Sequence, residues 1–339
     1  MKPIISVASL FIVVMGGEIG TRIHLNRGYR LHLDGNRGSE NSRYIMDVSN
    51  CIEYRLSPNK TWTWGEFKIV VNSDGIRGPE IPAIRDPAET RILHLGDSFT
   101  FGWSVRDDQT ISASLDRILA AKGVKCRNIN LGVIGYNLTQ YRQAFMERLH
   151  LARAGDVVVI NIFVNDGDPP GYGTSAPNPR NLFGRFDSWF INEGIHMFNE
   201  ALKKEGEGYR LILPHRKHVQ LDAAVSFDPS TVNGRHAVQA YVEMVNLCRE
   251  RSLSLVTVSH PLILRTEFSD KYLYEGVDRT IEAWAAKAGS PFVDMTRAFL
   301  ESREDPAGFV HKGDGHYNAK GNEFTAKRIS TELLKILSN

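Results

Sequence analysis

A serine that follows a short apolar strand and precedes a helix is well placed to act as a nucleophile. Ser98 has that setting, in Leu95-Gly96-Asp97-Ser98-Phe99-Thr100. At such a turn the hydroxyl can point into a cleft, and nearby backbone N–H groups favour developing negative charge. Gly96 permits a tight turn. Taken alone, Gly-Asp-Ser reads first as a helix cap, because Asp and Ser are common before helices for that reason alone. It is not the G-x-S-x-G elbow. Three further stretches change that reading. Asn130-Leu131-Gly132 is followed by Gly135, Val164-Asn165-Asp166 closes a long apolar run, and Asp314-Gly315-His316-Tyr317-Asn318 precedes the last helix. Acyl transfer needs a nucleophile, a base, a group to orient the base, and donors for an oxyanion. Ser98, His316, Asp314, the Gly132 backbone N–H and the Asn165 amide supply those roles in kind.

The elements that must position them follow from the apolar periodicity. Strands are expected at 91–95, 125–131, 156–164, 253–259 and 292–293, and helices at 107–122, 139–151, 237–251, 277–288 and 321–337. Asp156 to Val164 is nearly all apolar, as in a strand covered on both faces. Strands alternating with helices imply an α/β fold, with a mainly parallel sheet and helices on both faces. Functional groups then collect at the carboxyl ends of the strands. Each of the four stretches falls at a strand end or a helix start.

Upstream, residues 23–89 read as a β-rich extension packed on the main domain. Trp62, Trp64, Phe67, Ile69 and Val71 alternate as in a strand, Asn72 to Gly75 turns the chain, and Pro79, Pro82 and Pro87 end the piece. The main domain is expected over 90–339, with an insertion at about 167–235 that contains Trp189, Phe190, Met197 and Phe198. That insertion reads as a lid over the site or as an ordinary surface loop.

With these blocks in order, the chain resembles the SGNH/GDSL hydrolases, whose name lists Ser, Gly, Asn and His from four blocks. They match Ser98 in GDSFTFG, Gly132 in NLGVIGYN, Asn165 in FVND and His316 in DGHYNAKG. The resemblance spans residues 91 to about 335. It implies a three-layer α/β/α sandwich, an oxyanion hole of Ser98 N–H, Gly132 N–H and the Asn165 side chain, and no cofactor. Two departures stand out. Phe163 occupies the place of the usual Gly in the third block, and Asp314 precedes His316 by two residues instead of three. Ser98 and His316 therefore rank above Asp314. The implied activity is serine-dependent hydrolysis of a small-molecule or glycan ester through an acyl-enzyme. The alternatives are O-acyl transfer from the same site, or a non-catalytic binding protein of this fold.

Bulk properties narrow the partners. Lys and Arg total 41 against 39 Asp and Glu, a net charge of +2, and no long basic stretch offers nucleic acid a surface. Three cysteines, Cys51, Cys126 and Cys248, are too few for a disulfide scaffold. His311, Asp314 and His316 lack a fourth ligand at a recognisable spacing, so no metal is expected. His260 follows a strand end and reads as structural. Asp166 reads as a brace for its loop, Asp168 has no assigned role, and Trp103 is a candidate for lining the substrate pocket. Residues 1–22 hold an uncharged apolar stretch from Pro3 to Gly17, which suits a signal peptide or membrane anchor and predicts export. Sequons occur at Asn59 and Asn137, the second close to the expected site.

Overall fold

The computed structural model describes residues 45–47, 54–64, 67–167, 223, 226–263, 272, 274–311 and 315–338. They lie in one compact unit, residues 44–173 with 220–339. Residues 1–22, expected as a signal or anchor, most of the insertion and Asp168 fall outside the described residues.

Five strands form the central sheet: β5 (Thr90–Leu95), β6 (Cys126–Asn130), β7 (Val157–Phe163), β8 (Ser254–His260) and β9 (Phe292–Asp294). Their order is β6-β5-β7-β8-β9, and every pairing is parallel. The apolar run of β7 is buried at every position, as a strand between two helical layers must be. The long helices are α2 (Ile111–Ala120), α3 (Leu138–Arg148), α4 (Val232–Glu250), α5 (Glu275–Ala288) and α7 (Ala319–Leu337). Short α1 (Ser98–Phe101) and α6 (Met295–Glu301) follow β5 and β9 directly. The chain steps from β5 out to the edge strand β6, then back across to β7. Right-handed crossovers therefore put α2 on one face and α3, α4 and α5 on the other. The packing agrees: α7 lies against α2, and α4 against α3. The reversal opens a crevice at the carboxyl ends of β5 and β7, where such sheets bind ligands.

Upstream, β1 (Ile45–Asp47) pairs with β2 (Tyr54–Leu56), and β3 (Lys60–Trp64) pairs with β4 (Phe67–Val71), both antiparallel. The expected single alternating strand at 62–71 is thus a hairpin, with Trp64 opposite Phe67. The reason lies in the parity of the apolar positions, which switches from even to odd across Gly65-Glu66. After β4, the Asn72 carboxamide oxygen accepts from Asp74 N and Ile76 N, both at 3.0 Å. Asn72 N donates to Ile76 O at 2.9 Å, and Gly75 takes the left-handed conformation, φ 72°, that this tight turn demands. The extension is stitched to the main domain. Tyr54 OH donates to Ile134 O at 2.7 Å, Tyr136 OH bonds Tyr54 O, and Arg148 reaches Asp74 O at 2.6 Å.

Asn137 is buried and caps α3, accepting from Gln140 N at 3.1 Å, so this sequon is closed in the folded chain; Asn59 is exposed. Cys126 and Cys248 carry free thiols. Among the described residues, no three His, Cys, Asp or Glu side chains gather in a metal-binding group.

Candidate active site

The cap in Gly-Asp-Ser is Asp97, and the serine beside it faces His316. Asp97 is the N-cap of α1 and accepts from Phe99 N at 2.9 Å. Ser98 is the first helical residue, so its own N–H has no intrahelical acceptor. A Cβ on Gly96 would stand 1.8 Å from Thr100 Oγ1, which restricts this turn to glycine. The Ser98 Oγ lies 2.7 Å from His316 Nε2 and 3.2 Å from Asp97 Oδ2. One hydroxyl proton serves one acceptor at a time, Asp97 Oδ2 or His316 Nε2. A hydroxyl so placed can pass its proton to the ring as the oxygen attacks.

His316 rides on a loop locked from behind. His311 N donates to His316 O at 2.9 Å, Val310 and Tyr317 form an isolated antiparallel bridge, and Asn318 caps α7 at Gly321 N. Tyr317 is buried, with its ring 4.8 Å from Phe99 and 5.3 Å from Phe299. The His316 ring lies 5.0 Å from Phe99 and 6.3 Å from Trp103. Trp103 thus stands beside the reactive pair, half-buried. Asp314 lies outside the described residues. Asp97, expected only as a cap, is the described carboxylate beside the Ser98 hydroxyl. Burial pushes its carboxyl above the usual range, and the Phe99 N–H and the nearby His316 pull the other way. An ionised Asp97 would favour the imidazolium that forms during attack.

Asn165 sits in the turn after β7, half-buried, with its Oδ1 buried and without a hydrogen-bond partner among the described residues. Asp166 builds that turn: its Oδ2 accepts from Phe163 N at 2.7 Å and from Tyr141 OH at 2.6 Å. Its backbone oxygen also takes Leu138 N at 3.0 Å. Phe163, in place of the usual Gly, stacks its ring 4.3 Å from Phe99 and so joins the β7 and β5 ends.

The Gly132 amide has a partner within the protein. Its N–H, expected to face the oxyanion, donates to Asn130 Oδ1 at 3.0 Å. On either side of it, Leu131 N bonds His94 O and Val133 N bonds Gly96 O. The Asn130 carboxamide that accepts from Gly132 also donates to Phe101 O at 3.3 Å, so this bond lies against α1. Gly132 is needed for a steric reason, since a Cβ there would come within 2.3 Å of Phe101 N.

His260 is the structural histidine expected. It is buried, bonds Asn161 Oδ1 at 3.1 Å and Tyr317 OH at 3.3 Å, and burial holds its pKa down at about 3.

No curated sequence matches the chain. Among solved structures, TesA is 15% identical, with 73% of this chain and 99% of that one covered, at a TM-score of 0.44. An acetylxylan esterase, Axe2 from Geobacillus stearothermophilus, is 14% identical, with 72% and 94% covered, at 0.43. The psychrotrophic esterase EstA from Pseudoalteromonas sp. is 11% identical, with 74% and 100% covered, at 0.40. The sequence profile of the GDSL-like Lipase/Acylhydrolase family matches residues 94–324, from β5 into α7. The chain therefore belongs to the GDSL-like Lipase/Acylhydrolase family, and it is an ester-hydrolysing enzyme of that family.

Proposed function

We propose that the protein is a serine esterase that works through an acyl-enzyme on Ser98. The observation that carries this reading is the 2.7 Å contact between Ser98 Oγ and His316 Nε2, made by residues 218 positions apart. His316 takes the Ser98 proton as the oxygen attacks the ester carbonyl. The Ser98 N–H and the Asn165 amide, turned to present its nitrogen, hold the oxyanion. His316 then protonates the leaving alcohol, and water enters by the same route in reverse to release the acid. Asp314 is the residue assigned to orient His316. Trp103 and Phe163 offer apolar surface to the substrate, a small-molecule or glycan ester.

The test is hydrolysis of p-nitrophenyl acetate, butyrate and octanoate by the wild type and by Ser98→Ala. The variant should lose activity by several orders of magnitude. A folded wild type that neither hydrolyses these esters nor takes a fluorophosphonate at Ser98 would sink the proposal. An acceptor alcohol that diverts the acyl group from water would convert it to O-acyl transfer. We further propose that the apolar stretch at 3–17 directs export or anchors the chain. Native protein that starts at Met1 and fractionates as soluble cytoplasmic material would refute that part.

A further inference from the structure

The family profile begins at residue 94, yet a buried cation with four hydrogen bonds to the segment that follows Ser98 comes from upstream of it. Arg77 directly follows the Asn72 turn and pairs back on Val71 through an isolated bridge. Its side chain is buried to 1% exposure. Nη1 donates to Phe101 O at 2.9 Å and Gly102 O at 2.5 Å, and Nη2 to Val105 O at 2.6 Å. Nε donates to Asp107 Oδ1 at 2.8 Å, while Asp107 Oδ2 accepts Val70 N from the extension at 3.0 Å. The guanidinium also lies over the Phe101 ring, 4.7 Å from its centre.

These acceptors belong to one piece of chain. Phe101 ends α1, and Gly102 is its left-handed C-cap at φ 87°. The Gly102 and Trp103 amides both return to Ser98 O at 3.0 Å. A helix of four residues has almost no stability of its own, and its last carbonyls need outside donors. Arg77 supplies them, and Asn130 adds a contact to Phe101 O at 3.3 Å. A planar fork satisfies several carbonyls at once, which lysine cannot do. Burying the cation costs solvation, which Asp107 offsets only in part, so packing alone would have favoured an apolar residue.

We propose that Arg77 is a positioning residue for the acyl-transfer site, its guanidinium fixing the backbone from Phe101 to Val105 and through it the aim of Ser98 and the place of Trp103. This rests on Ser98 being the nucleophile. The β-rich extension is on this view part of the active-site scaffold.

The experiment reads the second-order rate at which a fluorophosphonate labels Ser98 in the full chain, for wild type, Arg77→Ala and Arg77→Lys. A cavity of about 330 Å³ lined by Val70, Arg77, Gly78, Asp107 and Asn130 offers small cations a way in. Each protein is therefore also measured with millimolar guanidinium, and with tetramethylammonium as a control. Folded Arg77→Ala should label roughly 10²-fold more slowly, the scale of a misplaced reacting group. Guanidinium should restore much of that loss, tetramethylammonium should not, and the wild type should not respond. Arg77→Lys should fall between the two. A folded Arg77→Ala that labels at the wild-type rate, or whose loss guanidinium leaves untouched, overturns the proposal. Should the alanine variant not fold, Arg77→Lys decides: slowed labelling supports the brace, and an unchanged rate overturns it. Failure of the wild type to label strikes the serine esterase reading instead, so the two failures are distinct.

Discussion

A methyl group on Gly132 would put a carbon 2.3 Å from the Phe101 nitrogen, against backbone that has nowhere to move. Gly132→Ala should therefore cost stability, about 1–3 kcal/mol as for other overpacked sites, and show as a lowered melting temperature. Asn165→Ala should do the reverse. Its Oδ1 bonds nothing among the described residues, so its loss should leave melting nearly unchanged. It should cut kcat roughly 10²–10³-fold, as for a lost oxyanion donor. Equal melting losses with equal activity losses in the two variants would contradict this division. The sequence made Ser98 and His316 legible because their residue types and order leave few other uses. It did not reveal the bond from the Gly132 amide to Asn130, because amide direction depends on local backbone geometry, which no motif spells out. It left Asp97 as a cap because a cap and a carboxylate beside the nucleophile share one residue here.

Among the elements, the long periodic helices and the apolar strands were readable to within a few residues at most ends. The hairpin of β3 and β4 was legible in principle, through the parity break at Gly65-Glu66, but alternation alone hides it. Short α1 and α6 escaped because one or two turns hold too few apolar positions to show a period, and neighbours make them helical. For α6 one neighbour is Asp278 on α5, which accepts from Thr296 on α6 at 2.7 Å and from Ser259 on β8. Burial raises this carboxyl from 3.8 to about 6. The folded state therefore holds a proton between about pH 4 and 6 that the unfolded chain has released. This contribution to stability is full below pH 4 and falls as pH rises through 6. Buried His94 and His260, lowered by desolvation to about 4 and about 3, slope the other way, losing stability as pH falls below 6.5. Comparing Asp278→Asn with wild type isolates the first effect. The difference in denaturation midpoint should shift in favour of the variant between pH 4 and 6, and a pH-independent difference would refute the assignment.

At the scale of the molecule, the reactive pair joins the two ends of the α/β region. Ser98 follows its first strand, and His316 stands just before α7, which closes against α2. Nothing local holds them together: their contact depends on the sheet order, on the Val310–Tyr317 bridge and on the docking of the last helix. During synthesis the chain emerges from its amino end and domains fold as units. On the proposed chemistry, the serine leaves the ribosome long before the histidine it needs, and a nascent chain would be chemically mute toward esters. The first covalent label that a newly made molecule accepts at Ser98 would then report that its α/β region has closed through α7.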